Sequence, residues 1–252
     1  MGQHFLVDPN LARGIVADAG VGPGDRVLEV GAGLGSLTVA LAEAGAEVLA
    51  LEVDRAAAAA LREVAAAHPN VRALAADAVR ADWPAVLDGG PWKMVSNLPY
   101  NVAVPVVMEL LRGAPQVERF TVMVQREVGE RLAAGPGEEQ YGAVSVHVAY
   151  HAEARTLRRV PPSVFWPRPK VDSIVVDLAR RRPPVTTPAD ALFRVVDEGF
   201  AQRRKTMRNA LMRLGVDRER AERALTACGL DPNVRAEQLA IEAFACLAEA
   251  IR

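Results

Sequence analysis

Cysteine is nearly absent: Cys228 and Cys246 are the two in 252 residues. A pair so placed has neither the density of a disulfide framework nor the spacing of metal ligands. The two are therefore expected to be ordinary helix cysteines in a reducing compartment, and no metal is expected. No apolar run is long enough to cross a bilayer, and no signal-peptide pattern precedes the first motif. A cytoplasmic protein without membrane contact is the expectation. Lysine occurs at positions 93, 170 and 205 alone, so arginine carries most of the basic charge. That bias, with the abundance of alanine, reflects a GC-rich genome more than a mechanism. No aromatic-rich strand face of the kind that reads single-stranded nucleic acid is present, and there is no internal repeat.

Half of the residues are hydrophobic, which is ample for a substantial core. The net charge of −1 conceals an asymmetry. Residues 1–152 hold 11 basic and 18 acidic side chains, a net of −7, whereas residues 153–252 hold 19 and 13, a net of +6. A basic C-terminal part points to a polyanionic partner, and the acidic N-terminal part excludes a protein that coats RNA over its whole surface.

Short β-branched runs at 26–30, 47–53, 71–75, 93–96 and 119–124 alternate with helical stretches at 35–44, 55–67, 102–111 and 126–133. This alternation predicts a parallel sheet covered on both faces. Runs at 157–160 and 171–179 add two strands, with an antiparallel edge expected. The composition changes at Arg180-Arg181-Arg182-Pro183-Pro184, and beyond it no strand pattern appears. Stretches at 191–200, 206–214, 218–227 and 236–250 have helical spacing. Two domains are expected, 1–182 and 183–252, the second small and all-helical.

Val27-Leu28-Glu29-Val30-Gly31-Ala32-Gly33-Leu34-Gly35 is a strand that enters a glycine-rich turn and then a helix. Glycine lets the backbone approach a ligand, and the helix start presents free N–H groups. A dinucleotide site would carry G-x-G-x-x-G, yet the third glycine falls one residue early, with Ser36 in its place. The acid just before the first glycine also favours a methyltransferase over a nicotinamide enzyme. Glu52 ends the next strand, 19 residues after Gly33, where a carboxylate accepts both ribose hydroxyls of a nucleoside cofactor. Asp77 follows the third strand and is placed to accept from an adenine amine. Either acid alone could instead cap the following helix; three ordered signals at successive strand ends argue against that.

Ser96-Asn97-Leu98-Pro99-Tyr100 follows the fourth strand and has the form [N/D]-x-P-[Y/F]. An exocyclic adenine amine is a poor nucleophile because its lone pair is delocalised into the ring. The Asn97 side-chain oxygen and the Leu98 carbonyl can accept its two N–H groups and return electron density to nitrogen. Pro99 fixes the turn, and Tyr100 can stack on a base swung out of its helix or loop. S-adenosylmethionine is the methyl donor this reading requires.

Over nearly its whole length the sequence resembles the small-subunit ribosomal RNA adenine dimethyltransferases of the KsgA type. The likeness runs through Gly2–Leu6, Glu29–Gly35, Glu52, Asp77 and Asn97–Tyr100, then through Phe165–Ser173, Arg203–Asn209 and Arg235–Leu239. It implies an α/β fold: a Rossmann-like class I methyltransferase domain with a mostly parallel seven-stranded sheet, and a small all-α C-terminal domain. It also implies dimethylation of two adjacent adenosines in the 3′-terminal hairpin of 16S rRNA, in immature small subunits, by a monomer. By the same resemblance Gln3, His4 and Leu6 line the cofactor, Gly31 and Gly33 lie against it, Glu52 and Val53 border its ribose, and Asp77 with Ala78 its adenine. Asn97 bridges cofactor and target, and Phe165 sandwiches the target base opposite Tyr100. His4 departs from the family, which usually has asparagine there.

Arg203, Arg204, Lys205 and Arg208 cluster before a C-terminal helix, with Arg180–Arg182 at the hinge, and Arg168 and Lys170 flank Phe165. Charge runs are often only solvated faces, and Arg204 and Lys205 could pair with acids; beside a base-modifying site phosphate contact is the stronger reading. The alternatives are a large-subunit (23S) rRNA methyltransferase of the macrolide-resistance type, a chiefly non-catalytic ribosome-assembly factor, and a nicotinamide oxidoreductase.

Overall fold

The computed structural model describes residues 4–202 and 204–252. Gln3 and Arg203, both singled out by the sequence, lie outside the described residues. The chain divides into two compact units, one running up to Glu130 and resuming over Glu153–Arg180, the other formed by Arg131–Ala152 with Arg181–Arg252.

The first unit begins with β1 (Phe5–Leu6), α1 (Pro9–Asp18), β2 (Arg26–Val30), α2 (Ser36–Glu43) and β3 (Glu47–Glu52). Next come α3 (Arg55–Ala67), β4 (Val71–Ala75), the one-turn α4 (Trp83–Val86), β5 (Trp92–Asn97), α5 (Ala103–Gly113) and β6 (Val117–Gln125). After α6 (Arg126–Ala133) and α7 (Ala143–His151) the chain forms β7 (Ala152–Val160), β8 (Phe165–Trp166) and β9 (Ser173–Arg180). Seven strands form one sheet in the order β4-β3-β2-β5-β6-β9-β7; β1 and β8 make a separate two-stranded ladder. Neighbours from β4 through β6 are parallel, and β9 runs antiparallel to β6. This is the mostly parallel seven-stranded sheet the sequence predicted.

The chain leaves β2 towards β3 on one side and returns to β5 on the other. That reversal opens a crevice beyond the carboxyl ends of β2 and β5, where open α/β sheets bind ligands. The strands between the two edges, β3, β2, β5, β6 and β9, are largely buried on both faces, as parallel sheets require. Alternation puts Val27, Val48, Ala50, Val95, Met123 and Val175 against Ile15 and Val16 of α1 and Leu37 and Leu41 of α2. Asp8 caps α1 by accepting from the Asn10 and Leu11 N–H groups, with Pro9 at the first helical position.

The second unit packs α7 with α8 (Ala189–Ala201), α9 (Met207–Arg213), α10 (Arg218–Ala227) and α11 (Ile241–Ala250). Residues 131–152 belong here, not with the sheet as the boundary at 182 had it. Tyr141 and Val146 sit in the same core as Leu192 and Phe244, and the Tyr141 hydroxyl donates to the Leu239 carbonyl at 2.8 Å. The helix expected over 236–250 is broken: Ala236–Gln238 is a 3₁₀ turn, and Leu239 and Ala240 are extended before α11 starts. Cys228 and Cys246 are not two free helix thiols. Packing of α10 against α11 brings their Cα atoms to 5.9 Å, within disulfide range, and the two are bonded.

Gly129 shows how tightly α6 sits on the sheet. A Cβ there would stand 2.2 Å from Ile174 Cγ2 and 2.9 Å from Val176 Cγ2. Alanine is normally the better helix residue by about 0.5–1 kcal/mol, but overpacking of this kind costs about 1–3 kcal/mol. Gly129→Ala is therefore expected to lower the urea midpoint; an unchanged or raised midpoint would show that α6 moves aside freely.

Candidate active site

The crevice is floored by the turn after β2. Gly31 and Gly33 have φ of +72° and +59°, a region in which a side chain is strained. Space closes it to one as well: a Cβ on Gly31 would lie 2.9 Å from Pro99 Cδ, and one on Gly33 would lie 3.0 Å from the Phe5 ring. His4, Leu6, Glu29, Glu52, Asn97 and Tyr100 line one part of the crevice; Val53, Asp77, Ala78 and Val106 line the adjoining part. Gly31, Glu52 and Pro99 border both. The structure thus brings together every cofactor residue expected from the sequence, Gln3 apart.

Glu52 is buried at the end of β3 and fixed by three backbone donors. Its Oε2 accepts from Gly33 N–H at 2.8 Å, and its Oε1 accepts from Val53 and Asp54 at 2.9 Å each. Asp77 is exposed and caps its own turn by accepting from Val79 N–H at 3.0 Å, so the local role foreseen for it is real, while it still borders the crevice. Glu29 is wholly buried and accepts from the Thr38 hydroxyl at 2.5 Å. Burial drives its pKa up to about 8, the Thr38 hydrogen bond opposes this, and repulsion from Glu52 adds to it. Glu29 therefore carries a proton at neutral pH. Neither Thr38 nor Phe5 was singled out by the sequence; Phe5 stands beside His4 in the first motif, and Thr38 follows three residues after Gly35.

Asn97 ends β5. Its Nδ2 donates to the His4 carbonyl at 3.2 Å, which leaves Oδ1 as the acceptor for a ligand. Leu98 is anchored through its N–H to the Met123 carbonyl at 3.0 Å, and the Pro99 carbonyl accepts from Val102 N–H at 3.1 Å, closing the turn. The half-buried Tyr100 bonds Ser173 Oγ at 2.9 Å; burial raises its pKa, with the Ser173 bond opposing.

Phe165 departs from expectation. Its side chain is 4% exposed and packs with Leu6 in the core, so it offers no open face for a base. The ring beside Tyr100 is instead that of His4, at 5.2 Å between centroids and 36° between planes.

The basic residues divide into two groups. Arg168, Lys170, Arg204 and Lys205 are exposed. Arg208 is committed to Glu222 at 3.1 Å. Arg180 is turned inward: it donates to the Leu110, Leu111, Ala114 and Val117 carbonyls and closes the C-terminal end of α5. Arg181 donates to the Ala149 carbonyl. Of the three hinge arginines, Arg180 and Arg181 are thus structural, whereas Arg182 is exposed.

Because the folded Glu29 keeps its proton to about pH 8 and the unfolded one loses it near 4.5, its contribution is full below pH 4.5 and is lost as pH rises through 8. Glu29→Gln is expected to flatten the decline in stability between those values in denaturant melts across pH. A slope identical to that of the unaltered protein would show that Glu29 ionises normally.

A family model described as ribosomal RNA adenine dimethylase matches residues 1–252. Ribosomal RNA small subunit methyltransferase A of Streptomyces avermitilis is 48% identical, over 98% of this chain and 86% of that protein. Its counterpart from Moorella thermoacetica is 43% identical, over 100% and 91%. Among solved structures, the 23S rRNA methyltransferase ErmE aligns over 98% of this chain and 99% of its own with a TM-score of 0.74 at 27% identity. A dimethyladenosine transferase from Plasmodium falciparum, at 23% identity and a TM-score of 0.79 over 97% and 96%, shares the fold. With the crevice, the Asn97–Tyr100 turn and a full-length match in agreement, the chain belongs to the ribosomal RNA adenine dimethylase family.

Proposed function

We propose that this protein dimethylates N6 of two adjacent adenosines in the 3′-terminal hairpin of 16S rRNA, acting as a cytoplasmic monomer on immature small subunits. The observation that carries the chemistry is the commitment of Asn97 Nδ2 to the His4 carbonyl, which leaves an oxygen to meet the amine. The small-subunit assignment rests on the relatives at 43% and 48% identity, both named for that subunit.

The residues present fit S-adenosylmethionine. The glycine turn leaves a cradle that a Cβ at Gly31 or Gly33 would fill, and Glu52, an acceptor held rigid by three N–H donors, suits a ribose diol. Asp77 and Ala78 border the part of the crevice suited to adenine. When bound, this cofactor supplies an electrophilic methyl group. Asn97 Oδ1 and the Leu98 carbonyl accept the N–H groups of the target amine and localise its lone pair. Tyr100 stacks on the target base, its ring steadied by Ser173. The amine proton, acidic once nitrogen carries the new methyl, leaves to water; Glu29, already protonated, is no base for it. Arg168, Lys170, Arg204 and Lys205 supply phosphate contacts that weaken with salt.

Undermethylated small subunits incubated with labelled S-adenosylmethionine and digested to nucleosides are expected to yield labelled N6,N6-dimethyladenosine from the 3′-terminal hairpin. Label in large-subunit RNA instead would overturn the assignment in favour of the resistance-type activity. Tyr100→Ala is expected to lower kcat/KM by about ten-fold or more, since base stacking contributes about 1–3 kcal/mol, and Tyr100→Phe to recover most of it. Equal losses in both would assign the effect to the Ser173 bond.

A further inference from the structure

Trp166 is the one aromatic among the large hydrophobic side chains that the described residues leave exposed. It is 66% exposed, whereas Trp83 and Trp92 are 1% and 6% exposed. A single exposed apolar residue needs no explanation by itself; its setting supplies one. In the ladder of β1 and β8, Leu6 pairs with Phe165 and Phe5 with Trp166. Leu6 and Phe165 are buried in the core, so strand alternation puts Phe5 and Trp166 on the opposite face. Phe5, on that same face, lines the crevice beside Gly33. The next residue, Pro167, is tied in through its carbonyl to His4 Nδ1 at 2.6 Å, and the His4 ring lies against Tyr100. Arg168 and Lys170, both exposed, follow at once.

An open indole with cations beside it is the combination by which proteins hold unpaired nucleotides: the ring takes a base face and the cations take the phosphates. We propose that Trp166 stacks on the nucleobase next to the target adenine, forming a second platform that sets the register of the RNA. This rests on the reading of the activity given above and deepens it, since two adjacent adenosines then occupy Tyr100 and Trp166 in turn. It also replaces the buried Phe165 as the aromatic that this segment offers to RNA.

The placement of the three tryptophans makes the test direct, because solvent-accessible emission comes from Trp166. The full chain is titrated with an RNA hairpin that carries two adjacent unpaired adenosines, and with the same RNA abasic at the position next to the target. Quenching by the first and not by the second is expected. Trp166→Ala is expected to raise KM for the RNA about ten-fold, with kcat and S-adenosylmethionine affinity unchanged and with recovery in Trp166→Tyr. RNA bound without quenching, quenching that survives the abasic substitution, or a KM within two-fold of the unaltered protein would overturn the proposal. Quenching by assembled subunits but not by naked RNA would also overturn it, in favour of a protein contact. Normal quenching without methyl transfer by the unaltered protein would support the platform while overturning the activity assigned above.

Discussion

In the proposed reaction Asn97 offers an oxygen to an incoming amine, and its amide group can turn either way. The Nδ2 bond to the His4 carbonyl decides the matter, because only the NH₂ end of the amide satisfies that acceptor. Much of the first unit serves to keep the two ends of this bond in place. The pairing of β5 with β6 sets Asn97 opposite Met123, whose carbonyl then anchors Leu98. On the other side, the pairing of β1 with β8 and the burial of Leu6 and Phe165 hold His4, and its ring is fixed between Pro167 and Tyr100. A two-stranded ladder outside the main sheet thus orients a side chain at the end of that sheet's central strand.

Charge in the crevice is arranged with comparable economy. Two buried carboxyl groups, Glu29 and Glu52, line it, and three backbone N–H groups serve Glu52 as its fixed partners. Burial, aided by the nearby like charge of Glu52, keeps the proton on Glu29 against the opposing effect of its one hydroxyl donor. Among the described residues the crevice therefore offers Glu52 as a rigid acceptor for a nucleoside and no free strong base at Glu29. That suits a reaction in which hydrogen-bond acceptors activate the nucleophile and its proton is lost to water.

The sheet was legible because parallel strands buried on both faces are continuous apolar runs, and 26–30, 55–67 and 71–75 have the bounds read from sequence alone. The crevice was legible because glycines and strand-end acids fall at fixed intervals along the chain. What escaped depended on packing between distant segments. Residues 143–151 alternate valine with polar residues and carry no helical signal, yet they fold as α7 within the helical core. The burial of Phe165 follows from its pairing with Leu6, across 159 residues of chain. Arg180 looked like part of a charged hinge and instead satisfies helix carbonyls, and the bond between Cys228 and Cys246 exists because α10 packs on α11. α1 was missed although its signal was present: Asp8 and Pro9 before an apolar stripe at Leu11, Ala12 and Ile15.

In the proposed reaction the Asn97 oxygen acts on the reacting amine and not merely on affinity. Single-turnover methyl transfer with Asn97→Ala, at saturating S-adenosylmethionine and RNA, tests it most directly when RNA affinity is measured in parallel. The transfer rate constant is expected to fall by about 100-fold or more, the scale of losing one preorganised polar contact to a transition state, with RNA affinity within about two-fold of the unaltered protein. A normal rate constant with weakened RNA binding would contradict it and make Asn97 a binding residue only.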